Sequence, residues 1–153
     1  MAENNRRKLN LLIIEDDLVD QMATQRFIEN QELPYEYTFA GSIAEAQEIL
    51  VEHDFDAVLA DYLLGDGSIP EIFDLLEGTP FVVVTGSGNE GVAVEVMKSG
   101  ASDYLIKDAG GGYLTIFPAT IEKAIQRRQA EDELIRHREN LEELVADRTA
   151  ELQ

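Results

Sequence analysis

The sequence predicts an α/β fold: a doubly wound, five-stranded parallel sheet covered on both faces, followed by an extended C-terminal helix. Three observations support it. Short apolar runs alternate with stretches of helical periodicity, the pattern of βαβ units. The runs Leu11–Ile14, Ala57–Ala60 and Phe81–Val84 carry no charged residue, as central strands of a parallel sheet should. Finally, Glu15, Asp16, Asp61, Thr85 and Lys107 all stand where such runs end. Ligands of open α/β sheets sit outside the carboxyl ends of the strands.

The elements follow in order. Residues 1–8 are polar and expected to be disordered. Leu9–Ile14 is the first strand. Leu18, Met22 and Phe27 recur at helical spacing over Leu18–Asn30, with Asp17 or Asp20 near the helix start. Pro34 precedes the second strand, Tyr35–Ala40, whose mixed polarity suits a sheet edge. Ser42-Ile43-Ala44-Glu45 reads as a capping box opening a helix to about His53. Ala57–Asp61 is the third strand. Gly65-Asp66-Gly67 reads as a loop, and Ser68–Glu77 as a short helix with Pro70 in its first turn. The fourth strand, Phe81–Val84, leads through a glycine-rich loop to a helix over 91–99, which Gly100 ends. Asp103–Ile106 is the fifth strand, and Gly110-Gly111-Gly112 breaks the chain before the last helix. Right-handed crossovers turn this order into a three-layer sandwich.

From Pro118 onward no further Gly or Pro interrupts the last helix. Ile121, Ala124 and Ile125 form a stripe able to pack on the sheet. Beyond them Leu134, Arg138, Leu141, Val145, Arg148 and Leu152 follow 3.5-residue spacing, with Leu144 beside the seam. That is a coiled-coil pattern weakened by two arginines. It predicts a projecting helix that pairs with a second copy in a parallel homodimer.

The chain has 153 residues, 44% hydrophobic, and no cysteine. One domain with a real core is expected, and disulfides and thiolate chemistry are excluded. No apolar run reaches the length of about 20 residues that spans a bilayer, so no membrane insertion and a cytoplasmic location are expected. The net charge is −19, concentrated in residues 1–120, where 22 acidic residues face 6 basic ones. Direct nucleic-acid binding, which rests on phosphate neutralisation by Lys and Arg, is not expected.

The strand-end residues set the chemistry. Three carboxylates, a hydroxyl and an ammonium converging on one spot suit a divalent cation and a phosphoryl group. Adjacent Glu15 and Asp16 repel, and a hard cation with oxygen ligands relieves that repulsion. Asp61 at a buried strand end is placed to attack phosphorus. Gly86-Ser87-Gly88-Asn89-Glu90-Gly91 formally matches G-x-G-x-x-G, but a dinucleotide site prefers that motif after the first strand. A mobile loop is the better reading.

Taken together, Leu11-Leu12-Ile13-Ile14-Glu15-Asp16-Asp17, Val58-Leu59-Ala60-Asp61, Val82-Val83-Val84-Thr85-Gly86 and Gly100-Ala101-Ser102-Asp103-Tyr104-Leu105-Ile106-Lys107 resemble the response-regulator receiver domains of two-component signalling. The resemblance covers residues 9–128 and leaves 129–153 as a coiled-coil linker helix, similar to those preceding sensor domains or histidine-kinase cores. It implies a flavodoxin-like strand order 2-1-3-4-5. It also implies Asp61 as phosphoacceptor and Mg²⁺ bound by Glu15, Asp16, Asp61 and the Leu63 carbonyl. Lys107 pairs with the phosphate, Thr85 is the switch hydroxyl and Tyr104 the switch aromatic. The implied partner is a histidine kinase or phosphotransfer protein, and the switching surface is the fourth helix, fifth strand and fifth helix. Asp108 replaces the proline usual after the lysine, so a cis peptide is not expected there. Two other readings compete. An aspartyl phosphatase would want a second Asp where Leu63 stands, and a pseudo-receiver would not keep every site residue.

Overall fold

Parallel pairing of five strands organises the computed structural model, which describes residues 7–86 and 88–152. The N-terminal residues 1–6, expected to be disordered, and Ser87 of the glycine-rich loop lie outside the described residues. The strands of the main sheet are β1 (Leu9–Ile14), β2 (Tyr35–Ala40), β3 (Ala57–Asp61), β6 (Phe81–Gly86) and β7 (Asp103–Lys107), in the order β2-β1-β3-β6-β7. The predicted order is therefore found, with the polar strand β2 at an edge. The helices are α1 (Leu18–Asn30), α2 (Ile43–Glu52), α3 (Glu90–Lys98) and α4 (Tyr113–Glu151). Two short strands, β4 (Leu63–Leu64) and β5 (Gly67–Ser68), pair antiparallel where the sequence suggested only a loop. The segment expected to be a short helix is a 3-10 helix, Ile69–Leu76.

Alternation along the strands divides the core. Leu12, Ile14, Val58, Ala60 and Val83 point to the face covered by α2, the 3-10 helix and α3. Leu11, Ile13, Leu59, Val82 and Val84 point to the face covered by α1 and α4. Each strand thus buries successive side chains on opposite sides, which the period of two requires. Phe117 of α4 is fully buried there, its ring 5.9 Å from that of Phe27 and 6.2 Å from that of Tyr35. Burying one such ring is worth roughly 1.5–3 kcal/mol.

Capping fixes the helix entries. Asp17 Oδ1 accepts from the backbone N–H groups of Val19 (2.8 Å) and Asp20 (3.2 Å) at the start of α1. Ser42 accepts from Glu45 N–H at 3.0 Å, while the Glu45 carboxylate reaches Gly41 N–H at 3.2 Å rather than that of Ser42. The capping box is thus displaced by one residue on its return leg. Asp66, in the β4–β5 turn, adds a second cap to α2: its carboxylate accepts from Ile43 N–H (2.8 Å) and Ala44 N–H (3.1 Å). These bonds hold its pKa below the ordinary aspartate value.

The last helix begins earlier than the sequence suggested. It starts at Tyr113 and carries Pro118 as its sixth residue. Proline lacks the N–H that would bond four residues back, a loss tolerated best near a helix start. Gly111, at φ 69°, makes the turn into it. The helix runs for 39 residues, about 58 Å at 1.5 Å per residue. From Glu133 to Leu152 every residue is exposed, the seam residues Leu134, Leu141, Val145 and Leu152 included.

Candidate functional site

The carboxyl ends of β1, β3, β6 and β7 meet at one edge of the sheet. Glu15 follows β1 and is pinned by its own N–H, which donates to Ala40 O at 2.9 Å. The Gln21 side chain donates to the Glu15 carbonyl at 2.6 Å. With Asp17 committed to capping α1, the loop holds Glu15 and Asp16 at the strand end. Asp61 closes β3 opposite Val84 of β6. Lys107 closes β7 opposite Gly86. Strand β6 is two residues longer than the sequence suggested, so Thr85 lies within the ladder, opposite Ile106.

The Lys107 ammonium is the hub. It donates to Glu15 Oε2 at 3.1 Å and Oε1 at 3.3 Å, and to Asp61 Oδ2 at 3.2 Å. It is also ion-paired with Asp20 Oδ2 at 2.7 Å. Burial works against its charge, but Asp20, Asp61 and Glu15 together outweigh that and raise its pKa. One cation does not balance this many carboxylates. Glu15, the most buried of the three that it touches, carries the excess. Burial first, and then the adjoining Asp61 carboxylate, push its pKa up to about 9 against the opposing pull of Lys107. Glu15, Asp16 and Asp61 can bring one carboxylate oxygen each within 4.8 Å of one another. That donor set is of the hard, oxygen-only kind that suits Mg²⁺, and a divalent cation would neutralise the excess negative charge.

Thr85 is buried, and its hydroxyl has no hydrogen-bond partner among the described residues. An orphan of that kind costs free energy unless a ligand atom satisfies it. A phosphoryl oxygen next to Lys107 would do so, and thus the residues present fit both a cation and a phosphoryl group. Tyr104 lies on β7 and is 39% exposed, on the outer surface rather than in the pocket. Leu63 sits in β4 with its side chain exposed. Gly65 lies close to Asp16: a Cβ there would stand 3.7 Å from Asp16 Oδ2. No cis peptide occurs among the described residues, the Lys107–Asp108 bond included.

Two residues of the site were not singled out from the sequence. Asp20 makes the shortest contact to Lys107, yet in sequence it looks like an ordinary first-turn helix acid. Its spacing of one turn from Asp16 was the available signal. Tyr113 is buried and lines a small cavity with Glu15 and Asp61. It was hidden because the helix carrying it was expected to start five residues later.

Known proteins resemble this chain in sequence and in fold. The response regulator receiver domain family model matches residues 11–115. The methanogenesis regulatory protein FilR1 of Methanothrix harundinacea is 30% identical over 126 residues, 77% of this chain and 28% of its own length. The transcriptional regulatory protein ZraR of Escherichia coli K12 is 30% identical over 128 residues, 81% of this chain and 28% of its own. The chain thus spans little more than a quarter of these relatives. A CheY-like receiver domain protein from Methanospirillum hungatei superposes with a TM-score of 0.69 at 21% identity, over 81% of this chain and 98% of that one. The chain belongs to the response regulator receiver domain family, the phosphorelay signalling modules of two-component systems, which bind Mg²⁺ in an acidic pocket and work with histidine kinases or phosphotransfer proteins.

Proposed function

We propose that Asp61 accepts a phosphoryl group from a phosphohistidine of a histidine kinase or phosphotransfer protein. The observation that carries this reading is the Lys107 ammonium bridging Asp61 and Glu15, with the buried Thr85 hydroxyl, unpartnered among the described residues, on the intervening strand β6. In the step, an Asp61 carboxylate oxygen bonds to phosphorus while the P–N bond to the donor imidazole breaks. The imidazole leaves with that electron pair, and an acyl phosphate remains. Lys107 exchanges part of its carboxylate pairing for a phosphoryl oxygen, and Thr85 donates to another. Glu15, Asp16, Asp61 and the Leu63 carbonyl would hold Mg²⁺, which when bound offsets the charge on the donor and acceptor oxygens.

The move of Thr85 toward the phosphoryl group frees space that Tyr104 can follow into. The surface formed by α3, β7 and the first turns of α4 then changes. That helix continues to Glu151, and residues 129–153 are read as a linker that pairs weakly with a second copy through Leu134, Leu141, Val145 and Leu152. Exposure of this seam over the whole outer helix supports the pairing, because an isolated helix is marginal in water. The same reading places the domain in the cytoplasm, with no role for direct nucleic-acid contact by so acidic a surface. Incubation with acetyl phosphate and Mg²⁺ tests it. Stable labelling close to one phosphoryl group per chain is expected. Continuous turnover of general phosphate esters would indicate a phosphatase instead, and no labelling an interaction module that is never phosphorylated.

A further inference from the structure

Tyr113 is the first residue of α4, and its ring closes a cavity beneath the acceptor site. The cavity, of about 10 Å³, is lined by Glu15, Thr24, Asp61, Val84 and Tyr113. That is near the smallest volume that holds one water, which also needs two to four polar partners. Four of the residues lining it carry a polar side-chain group: Glu15 and Asp61 a carboxylate, Tyr113 a hydroxyl, and Thr24 a hydroxyl that donates to Asp20 O at 3.0 Å and is free to accept.

The backbone just before Tyr113 is closely packed. Gly112, immediately before it, packs against the Asp108 side chain so closely that a Cβ there would stand 2.9 Å from Asp108 Oδ2. Tyr113 is itself 8% exposed. Its hydroxyl pKa is raised, first by burial; Lys107 acts against that, and Asp20, Glu15 and Asp61 add to it. Lys107, Asp20, Glu15 and Asp61 are thus all felt at this ring, with no direct hydrogen bond to it among the described residues.

We propose that Tyr113 is a positioning residue of the acceptor site, its hydroxyl holding the inner side of the Glu15 and Asp61 carboxylates through a single water in the cavity they share. The proposal rests on Asp61 being the acceptor. The hydroxyl limits the rotamers open to Asp61, so that one carboxylate oxygen stays directed outward for attack while the other stays with Lys107. Because Tyr113 opens α4, the same bridge ties the outgoing helix to the occupancy of the site.

The test compares the full chain with Tyr113→Phe and Tyr113→Leu, using acetyl phosphate as donor. Phe keeps the ring and removes the hydroxyl. Tyr113→Phe should form acyl phosphate about tenfold more slowly, with an unchanged Tm, whereas Tyr113→Leu should lose both rate and Tm. In the metal-free protein, Tyr113→Phe should also shift the Lys107 side-chain ammonium NMR signal, a readout that ring packing alone would leave in place. A rate within twofold of wild type with an unmoved Lys107 signal would overturn the proposal. So would a slow Tyr113→Phe whose Tm falls as far as that of Tyr113→Leu, since the effect would then be packing. Absence of labelling in the wild type is a separate outcome, and it would overturn the acceptor reading itself.

Discussion

The two ends of α4 obey different physics. Around Tyr113 and Phe117 the helix is locked by the sheet, with Phe117 fully buried and aromatic neighbours on two sides. From Glu133 to Leu152 every residue of the same helix is exposed, its leucines and valine included. The first region is complete within one chain. The buried hydroxyls of Tyr35, which packs on Phe117, and of Thr85, near the end of β6, have no hydrogen-bond partner among the described residues. The second region is incomplete by its own pattern, since a heptad seam has no function without a partner helix. One helix therefore links the acidic site to the exposed seam for which we propose a second copy as partner.

This contrast can be broken at either end. The largest effect is expected at Asp61. Asp61→Asn should abolish phosphorylation, seen as loss of all stable label from acetyl phosphate, while far-UV circular dichroism stays unchanged. Removing one of several crowded negative charges does not cost the metal-free fold. Next comes the cation. Glu15→Gln combined with Asp16→Asn should weaken Mg²⁺ binding by on the order of tenfold to a hundredfold, because two of the oxygen ligands lose their charge. An unchanged Mg²⁺ titration would place the metal elsewhere.

The locked half of α4 is tested by Phe117→Ala. Emptying that buried position should cost about 3–5 kcal/mol, read by chemical denaturation with no change in the outer helix. The free half is tested by ending the chain at Arg128. Sedimentation should show the full chain self-associating as its concentration rises and the shortened one remaining monomeric, with equal Tm for both at low concentration. Two monomers into the high micromolar range would end the dimer reading.

The smallest effect is expected at Asp66. Its folded-state pKa is lowered by the Ile43 and Ala44 N–H groups, so its contribution to stability is present above the ordinary aspartate pKa and lost as the pH falls through the folded value. Asp66→Ala should lower Tm slightly at neutral pH, and the gap from wild type should close in acid. A gap that persists at low pH would mean that the turn, not the charge, is what matters.

Much of this was legible in the sequence, for physical reasons. The strands that run between layers are uninterrupted apolar segments, so β1, β3 and the start of β6 stand out. The ends of β1 and β3 are marked by Glu15 and Asp61, charges that a buried strand interior cannot hold. What was hidden depends on tertiary placement. Asp20 looks like a helix-start acid until Lys107 is brought from 87 positions away to meet it at 2.7 Å. The cap that Asp66 gives α2 joins residues more than 20 positions apart, beyond any local capping motif. Pro118 marked a helix start by its usual preference. The true start at Tyr113 was masked by three glycines, which punctuate a sequence without saying where the next element begins. Thr85 was visible as a strand-end hydroxyl, but only the structure showed that its oxygen is buried and unpaired.

The most direct test of the central claim is to locate the phosphoryl group chemically. After reaction with acetyl phosphate and Mg²⁺, borohydride reduces an acyl phosphate on aspartate to homoserine, which peptide mass spectrometry places in the sequence. Homoserine at position 61 alone is the predicted result. Its appearance at Asp16, Asp20 or another aspartate, with Asp61 unmodified, would contradict the account.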